Sequence, residues 1–324
     1  MKHVSILVPE SAVLAAIDDP RHVFSQVNSF AEADGKPPIF DINFVGINRQ
    51  TKLHNSAFTV HSDALLDEVT STDLIFIPAF YGETNEFLET NKQFIPWICE
   101  RYKQGAEVVS LCVGAFILAK TGLLDGKKCS THWQAADEFR RMFPAVDLQT
   151  DKIITEEDGI YTSGGATSYY NLLLYLVEKY TSRETAILIA KIFAIDIERA
   201  SQTQFTIFKG QTKHADEEIK KAQNHIENNF HARITTGELS DKFAISRRSF
   251  ERRFKRATNN TVNEYVQRVK IEAAKKIFET TRQNITETMF DVGYNDTKSF
   301  RGIFKKITGM TPTDYRNKYN RESL

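Results

Sequence analysis

Short, almost wholly apolar runs alternate with longer stretches of helical period through the first two hundred residues. The runs at 4–8, 44–47, 74–78 and 108–111 are rich in β-branched residues and end in turn residues or a functional side chain, so they predict strands. Between and after them, apolar spacing near 3.6 predicts helices at 12–30, 83–102, 115–120, 134–143, 168–180 and 184–194. Apolar strands separated by helices imply a mostly parallel sheet covered on both faces. Past residue 200 the pattern changes. Residues 201–215 carry no strand signal and mark a linker between a domain at 1–200 and a second at 216–324. The last hundred residues read as all helix. Apolar positions 262, 265, 266, 269, 273 and 277 form one long helical stripe, and Thr311-Pro312 sets a cap and a first-turn proline for a final helix.

The helical third contains a repeat. Ser249, Phe250, Phe254, Lys255, Thr258, Thr261 and Tyr265 recur fifty residues on as Ser299, Phe300, Phe304, Lys305, Thr308, Thr311 and Tyr315. Two copies describe a duplicated unit, since a solenoid needs at least three. Each copy follows a short helix with its own start signal, Thr235 with Glu238 and Asn284 with Glu287. A short helix, a tight turn and a basic second helix make the helix-turn-helix pattern. In the first unit the second helix starts at Arg247. Phe250 and Phe254 face inward, and Arg248, Glu251, Arg252 and Lys255 share the opposite face. In the second, Gly293-Tyr294-Asn295-Asp296 makes the turn, and Thr297, Lys298, Arg301 and Lys305 face out.

Charge sharpens this. Lys+Arg and Asp+Glu are both 42 and cancel over the 324 residues, but their distribution is uneven. Residues 1–215 hold 20 basic and 27 acidic side chains, whereas 216–324 hold 22 and 15, a net +7. One basic helix face is commonly just solvated; two duplicated faces in a basic domain point to a polyanion. Three cysteines, Cys99, Cys112 and Cys129, exclude a disulfide scaffold and suit a reducing compartment. The N-terminal apolar run is too short for a signal peptide. The longest nearly apolar stretch, 108–119, falls short of the ~20 residues that span a bilayer. A cytoplasmic protein without membrane association is expected. His and Cys show no zinc spacing, so no metal and no cofactor are assigned.

Residues from about 219 to 319 resemble the double helix-turn-helix domain of the AraC/XylS family of bacterial transcription regulators. The resemblance is carried by Asp291, Val292, Gly293, Tyr294, Phe300, Phe304, Lys305, Thr308, Gly309, Met310, Thr311, Pro312, Tyr315 and Arg316. It implies sequence-specific binding of double-stranded DNA and contact with RNA polymerase. The DNA side would hold Arg247, Arg248, Glu251, Arg252, Lys255, Thr297, Lys298, Arg301 and Lys305. With both units docked, the recognition helices enter successive major grooves roughly 34 Å apart. Three positions depart from the family pattern. Asn259-Asn260-Thr261-Val262 replaces Gly-x-x-Pro, and Met289 replaces a small residue under the second turn; both bear on local packing. Gly302 stands where an arginine is usual, which weakens base reading by the second unit.

In the first domain, strand 108–111 runs into a helix through Cys112-Val113-Gly114. A cysteine at such a turn is a nucleophile-elbow arrangement. The Val113 N–H would form half an oxyanion hole, and the helix N-terminus is expected to lower the thiol pKa. The other reading is a pocket-lining thiol at the edge of an α/β sheet where ligands gather. Spacing alone does not choose. The segments 112–133 and 161–166 resemble the class I glutamine amidotransferase-like (PfpI/ThiJ) superfamily, and more narrowly GlxA-type regulators that join this domain to an AraC domain. The resemblance implies a flavodoxin-like α/β fold and a homodimer. Catalytic members place a histidine beside the cysteine and an acid near the first strand. Here Val113 follows Cys112, residues 9–17 are apolar apart from Glu10 and Ser11, and Pro78-Ala79-Phe80 stands in place of the Pro-Gly-Gly turn. A nucleophile without base, acid or complete oxyanion hole lacks most of the acceleration, so no catalytic residue is assigned. The domain reads as a sensor of an unknown small-molecule effector, bordered by Glu10, Phe80, Tyr81, Cys112, Val113, His132 and Trp133. Phe80, Tyr81 and Trp133 are expected around one cavity, suited to a methylated cationic amine. The competing readings are a cysteine-dependent amidase, hydrolase or glyoxalase with a DNA-binding appendage, and a redox sensor acting through Cys112.

Overall fold

The apolar runs of the first two hundred residues form the middle of a seven-stranded sheet in a computed structural model that describes residues 1–53, 56–197, 201–212 and 214–320. Across the sheet the strands are Ile154–Glu157, Ile160–Ser163, Glu107–Ser110, Leu74–Ile77, Lys2–Leu7, Phe40–Gly46 and Ala64–Leu65. Every neighbouring pair is parallel except the hairpin of the first two. Helices Leu14–Ala33, Tyr169–Tyr180 and Arg183–Ile192 cover one face, burying Phe24, Val27, Leu172 and Leu176. Thr84–Thr90, Phe94–Lys103, Ala115–Lys120 and Ala136–Met142 cover the other with Phe87, Ile98, Phe116 and Phe139. This is the flavodoxin-like α/β layering that near-continuous apolar strands require.

Two expectations change. The single helix at 83–102 is two, broken at Asn91. The Asn91 side chain donates to the Phe87 carbonyl at 3.0 Å and to the Glu10 carbonyl at 3.2 Å, and accepts from the Glu10 N–H at 2.9 Å. The hairpin Ile154–Glu157 with Ile160–Ser163 was not expected, although Asp158 and Gly159 at φ +51° and +73° form the two-residue turn favoured between antiparallel strands.

Contacts divide the chain at Met1–Gln202 and Thr203–Leu324. The segment expected to be a linker is divided: Ser201 and Gln202 bond the first unit, through Asp151 and Thr131, and the residues from Thr203 pack within the second. The Lys275 ammonium donates to the Thr206 carbonyl at 2.6 Å, the Phe208 N–H to Glu272 at 3.1 Å, and the Gln223 amide to the Gln211 carbonyl at 3.0 Å. Gly210, at φ +69°, lies where a Cβ would come within 2.3 Å of the Tyr265 hydroxyl.

The second unit is helical as expected: Glu217–Asn228, Thr236–Lys242, Arg247–Thr258, Val262–Thr280, Ile285–Asp291, Thr297–Thr308 and Pro312–Tyr319. Each helix-turn-helix has its own core, around Leu239, Phe250 and Phe254 in one and Met289, Phe300 and Phe304 in the other. The long helix serves both, giving Val266 and Val269 to the first and Ile271 and Phe278 to the second. Capping boxes at Thr235/Glu238, Thr261/Glu264 and Asn284/Glu287 fix the helix starts. Asn259 takes the left-handed cap at φ +55° that Gly309 takes at +76°, and Val262 opens its helix where Pro312 opens the last. The departure at 259–262 therefore leaves the fold intact, because asparagine tolerates that conformation. Met289 is buried in the second core, and its carbonyl accepts from the Tyr294 N–H at 3.0 Å, as Ser240 does from Ile245.

Candidate functional site

Parallel strands bring their C-terminal ends to one edge, and the first unit gathers its expected residues there by backbone bonds. The Leu111 N–H donates to the Ile77 carbonyl at 3.0 Å, the Val13 N–H to Ala79 at 2.8 Å, and the Tyr81 N–H to Ser11 at 2.8 Å. The Thr131 hydroxyl donates to the Cys112 carbonyl at 3.0 Å, which places His132 and Trp133 beside the same turn. Cys112 itself has φ +56°, the strained conformation of an elbow. Gly114 allows it: a Cβ there would meet the Ile77 and Pro78 carbonyls at 2.6 and 2.7 Å.

The expected activation of the thiol does not occur. Cys112 is buried, and burial pushes its thiol up to about 12; the Val113 N–H, hydrogen-bonded toward the sulfur, opposes this but does not win. The helix N-terminus that was expected to favour the thiolate is outweighed by desolvation. His132 is not poised as its base. It caps a short turn by accepting from the Gln134 N–H at 3.1 Å, its ring lies 5.5 Å from Trp133, and burial pushes its pKa down. Glu10 is exposed and is fixed through its backbone by Asn91. Phe80 is buried, with one ring face stacked on Phe87 at 3.7 Å, while Tyr81 is 51% exposed. One side of Phe80 is thus committed to the core.

Sequence reasoning missed a second group at this site. The Tyr169 hydroxyl donates to Asp19 at 2.5 Å, Tyr170 stacks on Tyr169 at 5.3 Å, and Tyr169 lies within electrostatic reach of Cys112. Burial first, and then the Asp19 carboxylate, push the Tyr169 hydroxyl up, so it stays a donor. The apolar period of Leu14–Ala33 concealed Asp19, a half-buried carboxylate whose partner lies 150 residues on.

In the second unit all nine residues expected at DNA are exposed: Arg247, Arg248, Glu251, Arg252 and Lys255 on one helix, Thr297, Lys298, Arg301 and Lys305 on the other. Their inward neighbours Phe250, Phe254, Phe300 and Phe304 are fully buried, so packing fixes which face each helix shows. Arg247 pairs with Glu251 at 3.1 Å along the first helix. Arg253, not expected to matter, holds Asp216 by two hydrogen bonds of 2.5 and 2.8 Å; that guanidinium keeps the Asp216 carboxyl below the usual range and ties the recognition helix to the cap of Glu217–Asn228. Among the described residues no cluster could hold a metal ion, and no helix is long and apolar enough to cross a membrane.

Comparison with known proteins gives the class. Residues 23–179 match the DJ-1/PfpI family and residues 239–318 match a helix-turn-helix domain, so the chain is a two-domain, DNA-binding transcription regulator. It is 24% identical over 255 residues to the HTH-type transcriptional regulator GbdR of Pseudomonas aeruginosa, across 78% of this chain and 68% of that one. It is 20% identical over 284 residues to the HTH-type transcriptional regulator GlxA of Rhizobium meliloti, across 87% and 86%. A solved protein from Vibrio parahaemolyticus, assigned as a transcriptional regulator, matches with a TM-score of 0.53 and 26% identity over 59% of this chain and 98% of its own. A DJ-1/PfpI domain thus precedes a helix-turn-helix domain in a chain whose relatives are named transcriptional regulators, which supports a regulator rather than an enzyme.

Proposed function

We propose that a small molecule bound at the sheet edge around Cys112 sets how the second unit engages DNA or RNA polymerase. Glu10, Phe80, Tyr81, Cys112, Val113, His132 and Trp133 border that site, joined by Asp19, Tyr169 and Tyr170. Arg247, Arg248, Glu251, Arg252 and Lys255 meet one major groove; Thr297, Lys298, Arg301 and Lys305 meet the next. The protein works in the cytoplasm as a homodimer. The observation that carries this reading is a strained elbow cysteine held as a neutral thiol at the convergent strand ends. An elbow that keeps its geometry without an ionised nucleophile suits recognition better than covalent chemistry.

The test is a thermal-shift screen of amino acids, quaternary amines and aldehydes on the full chain, followed by DNA binding with each hit. A ligand selective for the folded state adds about 2.7 kcal/mol at a hundredfold excess over Kd. The expected hit changes DNA affinity and is weakened by Tyr169→Phe or Trp133→Ala. Turnover of an amide or α-oxoaldehyde that is lost in Cys112→Ala would replace this reading with the enzyme.

A further inference from the structure

Lys270 lies in Val262–Thr280, the helix shared by both helix-turn-helix motifs. Its side chain is buried, with 7% of the residue exposed. Its ammonium donates to three backbone carbonyls: Val292 and Gly293 at 3.1 Å each and Ala232 at 3.2 Å. An ammonium has three protons, so its donors are all used. It also lies 5.4 Å over the Tyr294 ring. Burial pushes its pKa down, and among the described residues no carboxylate offsets that.

The three carbonyls come from two different places. Val292 caps Ile285–Asp291, and Gly293 begins the turn of the second helix-turn-helix. The carbonyl end of a helix carries partial negative charge, which suits a cation. Ala232 belongs to the loop that leads into the first helix-turn-helix, ahead of Thr236–Lys242. The contact is close: a Cβ on Gly293 would lie 2.1 Å from the His231 carbonyl oxygen and 2.6 Å from the Lys270 ammonium. A buried cation costs desolvation, and an apolar side chain would fill the space more cheaply. What an apolar side chain does not supply is a directional link between two loops.

We propose that Lys270 is a positioning residue for DNA recognition: it clamps the second helix-turn-helix turn to the loop before the first, and so fixes the separation of the two recognition helices. Two binding modules held rigidly favour one spacing of their sites, whereas a loose joint tolerates many. The proposal rests on both helix-turn-helix motifs docking on DNA, as the proposed function has it.

The test begins with a preferred DNA site selected from random sequence by the full-length protein. Base pairs are then inserted or removed between its halves. Wild type, K270M and K270R are measured by fluorescence anisotropy on each DNA and on the first half-site alone, with thermal melts to establish folding. Wild type should lose about tenfold or more at half a turn of insertion. K270M should keep its affinity for the first half-site, lose affinity for the intact site and respond to spacing by less than about threefold. K270R, which retains charge and donors, should keep the sharp profile. A K270M protein with the wild-type profile, or with equal losses on the intact site and the lone half-site, overturns the proposal. A wild-type profile that is flat overturns two-unit docking and this proposal together. If K270M does not fold, K270Q takes its place, and G293A, whose Cβ would crowd both the His231 carbonyl and the Lys270 ammonium and so open the clamp from the other side, should flatten the profile as well; a sharp profile in both overturns the clamp.

Discussion

Gly302 sits in the middle of the exposed face of the second recognition helix, at the position Arg252 holds in the first. A Cβ built there meets nothing within 4 Å. No close approach therefore requires glycine, and its backbone freedom is a cost of about 1 kcal/mol relative to alanine. Gly302→Ala should recover that amount, roughly 3–6 °C in the melting temperature of a unit this size. Gly302→Arg should recover most of it, since arginine is a strong helix former, and should add a guanidinium to the DNA side. A bidentate contact to guanine adds about 1–3 kcal/mol of discrimination, whereas a phosphate contact steepens the salt slope by roughly one. Thermal melts separate the first effect, and anisotropy over a salt titration separates the second. Gly302→Ala should stabilise without changing DNA affinity, and Gly302→Arg should do both. A melting temperature lowered by Gly302→Ala would mean that the helix needs glycine there. A Gly302→Arg protein indistinguishable from Gly302→Ala on DNA would mean that this face does not meet the duplex.

Ala244 holds φ +51° in the first turn, where Gly293 holds +74° in the second. Ala244→Gly should therefore raise stability in chemical denaturation by roughly 1 kcal/mol, and a loss would refute the strain. Arg252→Ala should cost about 1–3 kcal/mol of DNA binding and relax preference at one base pair, while Lys305→Ala should weaken all sequences alike; footprinting and salt titration distinguish them. Cys112 and Cys129 are both held up at about 12 by burial, above an unfolded thiol near ~8.5, so the unfolded state ionises first as pH rises. Their contribution is whole below about pH 8.5 and is lost toward about pH 12; Cys112→Ala should shallow that alkaline loss in melts, and rapid iodoacetamide labelling of native Cys112 at pH 8 would contradict its burial.

The sheet and the helical third were legible because both rest on burial. Phe250, Phe254, Phe300 and Phe304 had to point inward at helical spacing, and the apolar strands had to be covered on two sides. What escaped depends on single polar side chains with distant partners. Asn91 splits a helix by bonding the Glu10 backbone, Asp19 waits for Tyr169, and Gln223 pins Gln211; no period encodes such pairs. The Asp158-Gly159 hairpin was different, since its turn signal stood in the sequence. For Cys112, the elbow motif conveyed geometry correctly but not ionisation, which depends on how deeply the surrounding chain buries the sulfur.

The repeat separates the residues that build each motif from those that it presents outward. The shared residues have internal tasks. Thr258 and Thr308 each donate to the carbonyl four residues back, at 2.8 Å, and accept the N–H two residues on; Tyr265 and Tyr315 each donate to a glutamate at 2.5 Å. The outward positions diverge. Arg247, Arg248, Glu251 and Arg252 stand against Thr297, Lys298, Arg301 and Gly302, and only Lys255 and Lys305 agree. Internal identity keeps both helices presented in the same way, because a changed core residue would tilt the face it supports. Outward divergence then alters what each face recognises without disturbing that presentation. We propose on this ground that the first helix, with its arginines and one carboxylate, reads base edges, and that the second, with lysines and a glycine gap, mainly holds phosphates. Unequal half-sites would follow from this, and a footprint with stronger sequence dependence under the second helix-turn-helix motif than under the first would overturn the assignment.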